Sequence, residues 1–78
     1  MITPRFYFQR GQKSDRALIG RCMQCVPENR QEEVAGEYEK LYENQPNRHA
    51  GRKKANTYLL NVAQEFRQAD YGKQKKAL

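Results

Sequence analysis

Hydrophobic positions along this chain follow two different periods. Near the N-terminus, in "RFYFQRG", Phe6 and Phe8 alternate with more polar positions until Gly11. Alternating aromatic residues ended by a glycine predict a short strand or an extended arm. A lone strand leaves its backbone groups unpaired, so we expect a partner strand, for which a second copy of the chain is one source.

From Ser14 onward the hydrophobic positions recur at helical spacing and predict three helices. Ser14 is the expected cap of the first helix, and Pro27 ends that helix and opens the next one. The second helix is expected over about residues 28–44 and the third up to about Asp70, followed by a basic flexible tail at 71–78. The three apolar stripes comprise Leu18, Ile19, Cys22, Cys25 and Val26, then Val34, Ala35, Tyr38, Leu41 and Tyr42, then Ala55, Tyr58, Leu59, Val62, Ala63 and Phe66.

The predicted fold class is mainly α, a small three-helix domain over residues 13–70 preceded by an extended arm or short strand at residues 1–12. With 78 residues, of which 37% are hydrophobic, the core must be thin. Self-association would thicken it, so we expect a homo-oligomer, with strand pairing as one route to a homodimer. The chain has no long apolar run, which predicts a cytoplasmic protein with no membrane partner.

Charge is distributed unevenly along the sequence. Residues 27–46 hold six glutamates and carry a net charge of −4, whereas residues 1–26 carry +4 and residues 47–70 carry +3. The whole chain carries +6 at pH 7, with a pI of about 9.6. Basic ends around an acidic middle favour a nucleic acid or an acidic protein surface as the partner.

Cys22 and Cys25 have the C-x-x-C spacing that occurs in zinc and redox sites. A tetrahedral zinc site needs four ligands, and the sequence offers no second cysteine pair and only one histidine, His49. Because the pair ends the first predicted helix on its apolar stripe, we expect both thiols to pack in the core without a metal. An interchain metal or disulfide and a redox role are the alternatives. No catalytic cluster or phosphate-binding glycine loop is present, so we expect a non-enzymatic protein without a cofactor.

The segment "NRHAGRKKAN", residues 47–56, begins the third predicted helix and is strongly basic. A helix start carries partial positive charge and favours acidic side chains or a bound anion. Projected backwards from the apolar stripe, Arg48 and Arg52 fall on the core-facing line, whereas Lys53 and Lys54 fall on opposite flanks. The basic helix start therefore requires an explanation.

Two interpretations of this segment remain open. In the structural one, Arg48 and Arg52 lie beside the glutamates of the second helix in ion pairs worth about 0–1 kcal/mol each. In the functional one, arginine forks and lysine charges contact phosphates. The predicted nucleic-acid-binding residues are Arg48, Arg52, Lys53, Lys54, Arg5, Tyr7, Gln9 and Arg10. The expected function is a small basic nucleic-acid-binding or regulatory protein, and the alternative is a protein-interaction module, such as an inhibitor or adaptor.

The order strand, helix, turn, helix over residues 5–44 resembles in outline the ribbon-helix-helix DNA-binding family. This resemblance implies that strands of two chains pair, with outward strand residues facing the bases and inward residues entering the dimer core. The outward residues would be Arg5, Tyr7 and Gln9, and the inward residues Phe6 and Phe8. Two features depart from the family pattern, because the second helix starts with the acidic "PENRQEE" and a third helix follows.

Overall fold

The computed structural model describes the backbone of residues 1–77 and the side chains of residues 1–68. Two short strands, β1 (Gln9–Arg10) and β2 (Lys13–Ser14), precede three helices, α1 (Arg16–Met23), α2 (Glu28–Glu43) and α3 (Arg48–Ala77). The predicted mainly-α fold with three helices is confirmed. α3 extends to Ala77, so the end predicted near Asp70 is wrong, and the backbone of most of the segment expected to be a tail at 71–78 is helical. The flexibility of that segment stays a prediction. In the part of the chain that is described, no helix is long and apolar enough to cross a membrane.

The two strands form an antiparallel hairpin within one chain, with Gln9 opposite Ser14 and Arg10 opposite Lys13. Gly11 opens the two-residue turn with a φ of 59°. This left-handed conformation suits the first position of a type II′ hairpin and carries no Cβ penalty for glycine. The partner of the predicted strand is thus β2 of the same chain and not a strand of a second copy. The resemblance to the ribbon-helix-helix family fails at this point, because that family pairs strands between chains.

The two phenylalanines of the N-terminal arm have different environments. Phe8 is 3% exposed and belongs to the core, whereas Phe6 is 51% exposed. The backbone N–H of Asp15 donates to the Phe8 carbonyl at 3.1 Å, which closes the hairpin behind Phe8. The expectation that both rings share one buried side is therefore wrong for Phe6.

The helix starts differ in detail from the sequence expectation. Asp15 occupies the N-cap position of α1 without a side-chain cap bond, because its carboxylate points into the molecule. Ser14, the predicted cap, belongs to β2, and its hydroxyl accepts a hydrogen bond from the Arg16 N–H at 3.2 Å. Pro27 precedes α2 as its N-cap, and its carbonyl accepts from the Arg30 N–H at 2.8 Å. α1 ends at Met23, before the end predicted at Pro27.

The core lies between α2 and α3, with α1 packed against α3. The largest fully buried side chains are Tyr38, Met23 and Leu59. The predicted stripes supply most of the core, but seven of their members are only partly buried against it: Leu18, Cys25, Leu41, Tyr42, Tyr58, Val62 and Phe66. Met23 was missed by the stripe analysis. Among the described side chains, the buried hydrophobic residues are Phe8, Ile19, Cys22, Met23, Val26, Val34, Ala35, Tyr38, Ala55, Leu59 and Ala63.

α2 and α3 approach each other closely at Gly51, which is buried. A Cβ atom at this position would overlap the Tyr42 carbonyl oxygen and lie 3.0 Å from Tyr42 Cδ1. The basic segment therefore contains a glycine because the last turn of α2 crosses the first turn of α3 there. This crossing sets the angle at which the basic helix start leaves the turn.

Gly51→Ala should destabilise the protein, although alanine favours a helix by about 1 kcal/mol over glycine. The new methyl group must push the Tyr42 backbone away, and we expect a net loss of about 1–3 kcal/mol in the free energy of unfolding. Gly36→Ala is the matched control, because nothing lies within 4 Å of a Cβ at this helical position. Urea denaturation that shows both variants stabilised to the same extent would refute the close approach.

Leu59→Ala should cost about 2–5 kcal/mol in the free energy of unfolding, because the side chain is completely buried. Leu60→Ala provides the control on the adjacent residue, which is 48% exposed and should lose much less stability. Thermal and urea denaturation of both variants measure the difference. A Leu59→Ala protein that melts with the parent would show that the core lies on another face of α3.

Candidate nucleic-acid interface

A buried carboxylate, that of Asp15, joins the start of α1 to the start of α3. Asp15 is 5% exposed. Arg52 donates to it through Nε at 3.1 Å and through Nη2 at 2.5 Å, so each carboxylate oxygen receives one guanidinium hydrogen bond. Asn56, one turn further along α3, adds a hydrogen bond from Nδ2 to Oδ2 at 3.0 Å. Such a two-point arginine–carboxylate pair fixes orientation as well as distance.

The hydrogen-bond network continues from Asn56 into α2. The Tyr38 hydroxyl donates to Asn56 Oδ1 at 2.5 Å, and Tyr38 is completely buried. Burial, with the nearby Asp15 charge as the second cause, raises the pKa of Tyr38 well above its ordinary value. The phenol therefore stays protonated and serves as a donor. Among the described side chains, no buried nitrogen or oxygen atom lacks a hydrogen-bond partner.

The flat face of the Arg52 guanidinium packs on the N-terminal arm. Its Cζ atom lies 4.2 Å from the centroid of the Phe8 ring, a distance typical of a cation–π contact. On α3, His49 tilts against the same ring, with centroids 5.5 Å apart and an interplanar angle of 42°. Phe8 thus docks the hairpin onto the first turns of α3.

These contacts change the role of Arg52 among the predicted binding residues. Its charge is balanced by Asp15, and its side chain is 33% exposed. The structural interpretation expected Arg52 beside glutamates of α2, and this partner assignment is wrong because the observed partner precedes α1. Sequence reasoning missed Asp15 as a site residue. The available signal was that Asp15 is the single acidic residue among residues 1–26.

Four predicted residues, Arg5, Tyr7, Gln9 and Arg48, come together in an open groove between the N-terminal arm and the turn from α2 to α3. We call this the arm groove. The Arg5 guanidinium also lies 3.8 Å from Glu39, but Arg5 is 84% exposed, so this pair contributes little to stability. The full lining is Arg5, Phe6, Tyr7, Gln9, Tyr42, Glu43 and Arg48.

The two lysines of the predicted set lie on a different surface. Lys53 and Lys54 are exposed, and both border a shallow groove with Leu41 and Tyr58. The expectation that they point to opposite flanks is wrong, because neighbouring helical positions differ by only about 100°. Arg10, the last member of the set, is exposed on the hairpin.

The docked hairpin adds further basic residues to those of α3. Arg10, Lys13 and Arg16 are exposed on the hairpin and the start of α1, while Phe8 and Asp15 hold this part of the chain against Arg52 and His49. We define the basic end by its exposed cations. They are Arg10, Lys13, Arg16, Arg48, Lys53 and Lys54.

The two cysteines occupy unequal positions at the end of α1. Cys22 is 4% exposed, and burial, with Cys25 as the second cause, raises the pKa of its thiol. Cys25 is partly buried, and Arg67 Nη2 lies 3.5 Å from its sulfur. Core packing is therefore confirmed for Cys22, whereas Cys25 lies at the core margin. Among the described side chains, no three His, Cys, Asp or Glu residues are placed to hold a metal ion.

Asp15→Asn should lower the free energy of unfolding by about 1–3 kcal/mol, because Arg52 and Asn56 then face an amide instead of a carboxylate. This expected loss in the free energy of unfolding is smaller than the loss for breaking a fully buried ion pair, because Arg52 is partly exposed. Glu33→Gln is the matched control. It breaks the exposed Arg30–Glu33 pair, whose atoms are 2.9 Å apart, and should cost about 0–1 kcal/mol. Equal losses in urea denaturation would contradict a structural role for Asp15.

Comparisons with known proteins add no further constraint on the site. No protein-family model matches this sequence, and no curated protein or solved structure shows significant similarity to it. Function must therefore be argued from the geometry and charge of the chain itself.

Proposed function

We propose that this chain is a small non-enzymatic nucleic-acid-binding or regulatory protein that contacts the phosphate backbone through its basic end. The observation that supports the proposal is the docking of the hairpin on α3 by Phe8, Arg52 and His49. This contact gathers cations from two distant parts of the sequence. Exposed basic residues brought together from separate parts of the sequence raise the positive potential that attracts phosphates.

The start of α3 adds backbone donors to these charges. Asn47 already occupies two of the first N–H groups, since its Oδ1 accepts from Ala50 at 2.8 Å and its carbonyl accepts from Gly51 at 3.0 Å. The donors left for an anion are the N–H groups of Arg48 and His49. The first N–H groups of a helix have no partner inside the helix and favour an anion, as does the helix dipole. Arg48 lies at this same position and can donate to phosphate as a planar fork.

The acidic helix supplies the opposite polarity. Exposed glutamates follow α2 and would repel a polyanion, so a nucleic acid approaching the protein is turned toward the basic end. In this arrangement Arg52 positions the hairpin, while the exposed cations contact phosphates. The exposed glutamates are Glu28, Glu32, Glu33, Glu37 and Glu43, and the last of these lies in the arm groove.

A protein-interaction module, such as a small inhibitor or adaptor, is the second candidate. Two arginines that were predicted to contact phosphate instead lie beside carboxylates of the same chain, which favours this candidate. Arg52 pairs with Asp15, and Arg5 approaches Glu39. The partner would then bind the glutamates of α2 or the remaining cations. This candidate requires that the protein shows no salt-dependent affinity for nucleic acid.

The variant with both Lys53→Gln and Lys54→Gln should bind DNA and RNA more weakly, to a similar degree on every sequence. A plot of log affinity against log salt concentration should also have a shallower slope than for the parent, by up to about 2. The reason is that each phosphate contact contributes about 0.7–0.9 to that slope. Fluorescence anisotropy titrations at two salt concentrations measure both quantities. Folding stability should stay within about 0.5 kcal/mol of the parent, because both side chains are exposed.

Lys40→Gln serves as the control, because this exposed lysine belongs to the acidic helix α2. Its loss should leave the affinity and the salt slope close to those of the parent. A parent protein that binds neither DNA nor RNA at low salt would refute the proposed function and favour the interaction module.

A further inference from the structure

We infer that the arm groove holds a segment of single-stranded nucleic acid, with one base stacked on Phe6 and the flanking phosphates at Arg5 and Arg48. This inference rests on the proposed function and specifies its ligand. The observation behind it is that the exposed Phe6 ring lies in one groove with Arg5 and Arg48, which are far apart in the sequence. Aromatic rings between cations are the surfaces on which proteins bind unpaired bases.

Phe6 is the accessible phenylalanine of the N-terminal arm. Phe8 anchors the arm and is 3% exposed, whereas Phe6, two residues earlier, is 51% exposed at the edge of the groove. Tyr7 and Tyr42 also line the groove and are partly buried. The packing of the chain therefore leaves one phenylalanine ring accessible beside two tyrosines.

Two arginines supply positive charge beside these rings. Arg48 lies at the start of α3, where unpaired N–H groups already favour an anion. Arg5 is 84% exposed, and its contact with Glu39 is long, at 3.8 Å, so it is free to turn toward a phosphate. Two guanidinium groups beside an aromatic surface complement an alternation of phosphates and bases better than they complement an apolar peptide.

The remaining polar lining suits the edge of a base. Glu43 can only accept hydrogen bonds and repels phosphate, whereas the Gln9 amide both donates and accepts. A base edge that carries N–H groups satisfies Glu43, while the flanking phosphates bind Arg5 and Arg48. The groove volume of about 400 Å³ lies within the range of small-ligand sites.

The geometry points to a single strand because duplex bases are already stacked on their neighbours. A ring at the protein surface reaches a base face only where the base is unpaired or splayed out. Contacts of a duplex would instead be limited to phosphates at the basic end. Single-stranded and duplex binding should therefore respond differently to changes at Phe6.

Tryptophan fluorescence gives a direct test, because the chain contains no tryptophan. Phe6→Trp places a reporter in the groove, and Leu60→Trp places one at a similarly exposed position of α3, since these residues are 51% and 48% exposed. Titration with an oligothymidylate of about 12 nucleotides should quench F6W and leave L60W nearly unchanged. Equal quenching of the two proteins, or none, would overturn the inference.

Phe6→Leu provides a second readout. Its affinity for the oligothymidylate should fall at least about fivefold, the change produced by losing about 1 kcal/mol of stacking. Its affinity for the oligothymidylate–oligoadenylate duplex should stay within about twofold of the parent, because phosphate contacts are kept. Equal losses on both ligands would overturn the inference, and circular dichroism confirms that the variant is folded.

The two proposals fail in distinguishable ways. A parent protein that binds both ligands with a salt-dependent affinity, while F6W is not quenched, retains the proposed function and loses the groove inference. A parent protein that binds neither ligand at low salt loses both. Replacement of the oligothymidylate by oligouridylate extends the same test to RNA.

Discussion

The carboxylate of Asp15 is the constraint on which the arrangement of this small protein depends. A buried charge must be paired and hydrogen-bonded, and Asp15 obtains these partners from Arg52 and Asn56. Because both partners belong to α3, the position of α1 follows from that of α3. The backbone of Asp15 also holds Phe8, so the hairpin is fixed by the same residue. Polar contacts thereby supply part of the specificity that a thin apolar core cannot supply alone.

Much of the helical framework could be predicted from the sequence, because apolar periodicity depends mainly on local spacing. The stripe through Leu59 and the start of α2 at Pro27 are examples. Tertiary partners could not be predicted in this way. The burial of Arg52 against Asp15 requires knowledge of how α1 crosses α3, and β2 contains no apolar alternation by which to recognise a strand. The exposure of Phe6 likewise depends on the path of the arm and not on its period.

In the candidate site, too, the local features could be predicted from the sequence and the tertiary contacts could not. Sequence reasoning identified the basic helix start and the aromatic arm, but treated their charges as one set. In the structure these charges have different environments. Arg52 forms an ion pair with Asp15, and Arg48 lines the arm groove. Lys53 and Lys54 line another groove. Only the exposed members can contribute to the salt dependence of binding. The number of basic residues in this segment is therefore larger than the number of phosphate contacts it can make.

The hairpin has a consequence for the dynamics of the chain. Its strands contain two residues each, so it has few backbone hydrogen bonds of its own and depends on Phe8 and Asp15 for its position. Regions with few internal contacts open locally at a lower free energy than the global unfolding transition. Such an opening would separate Phe8 from Arg52 while leaving the contact between α2 and α3 intact. The electrostatic potential at the start of α3 is thus coupled to a local order–disorder equilibrium of the N-terminal segment.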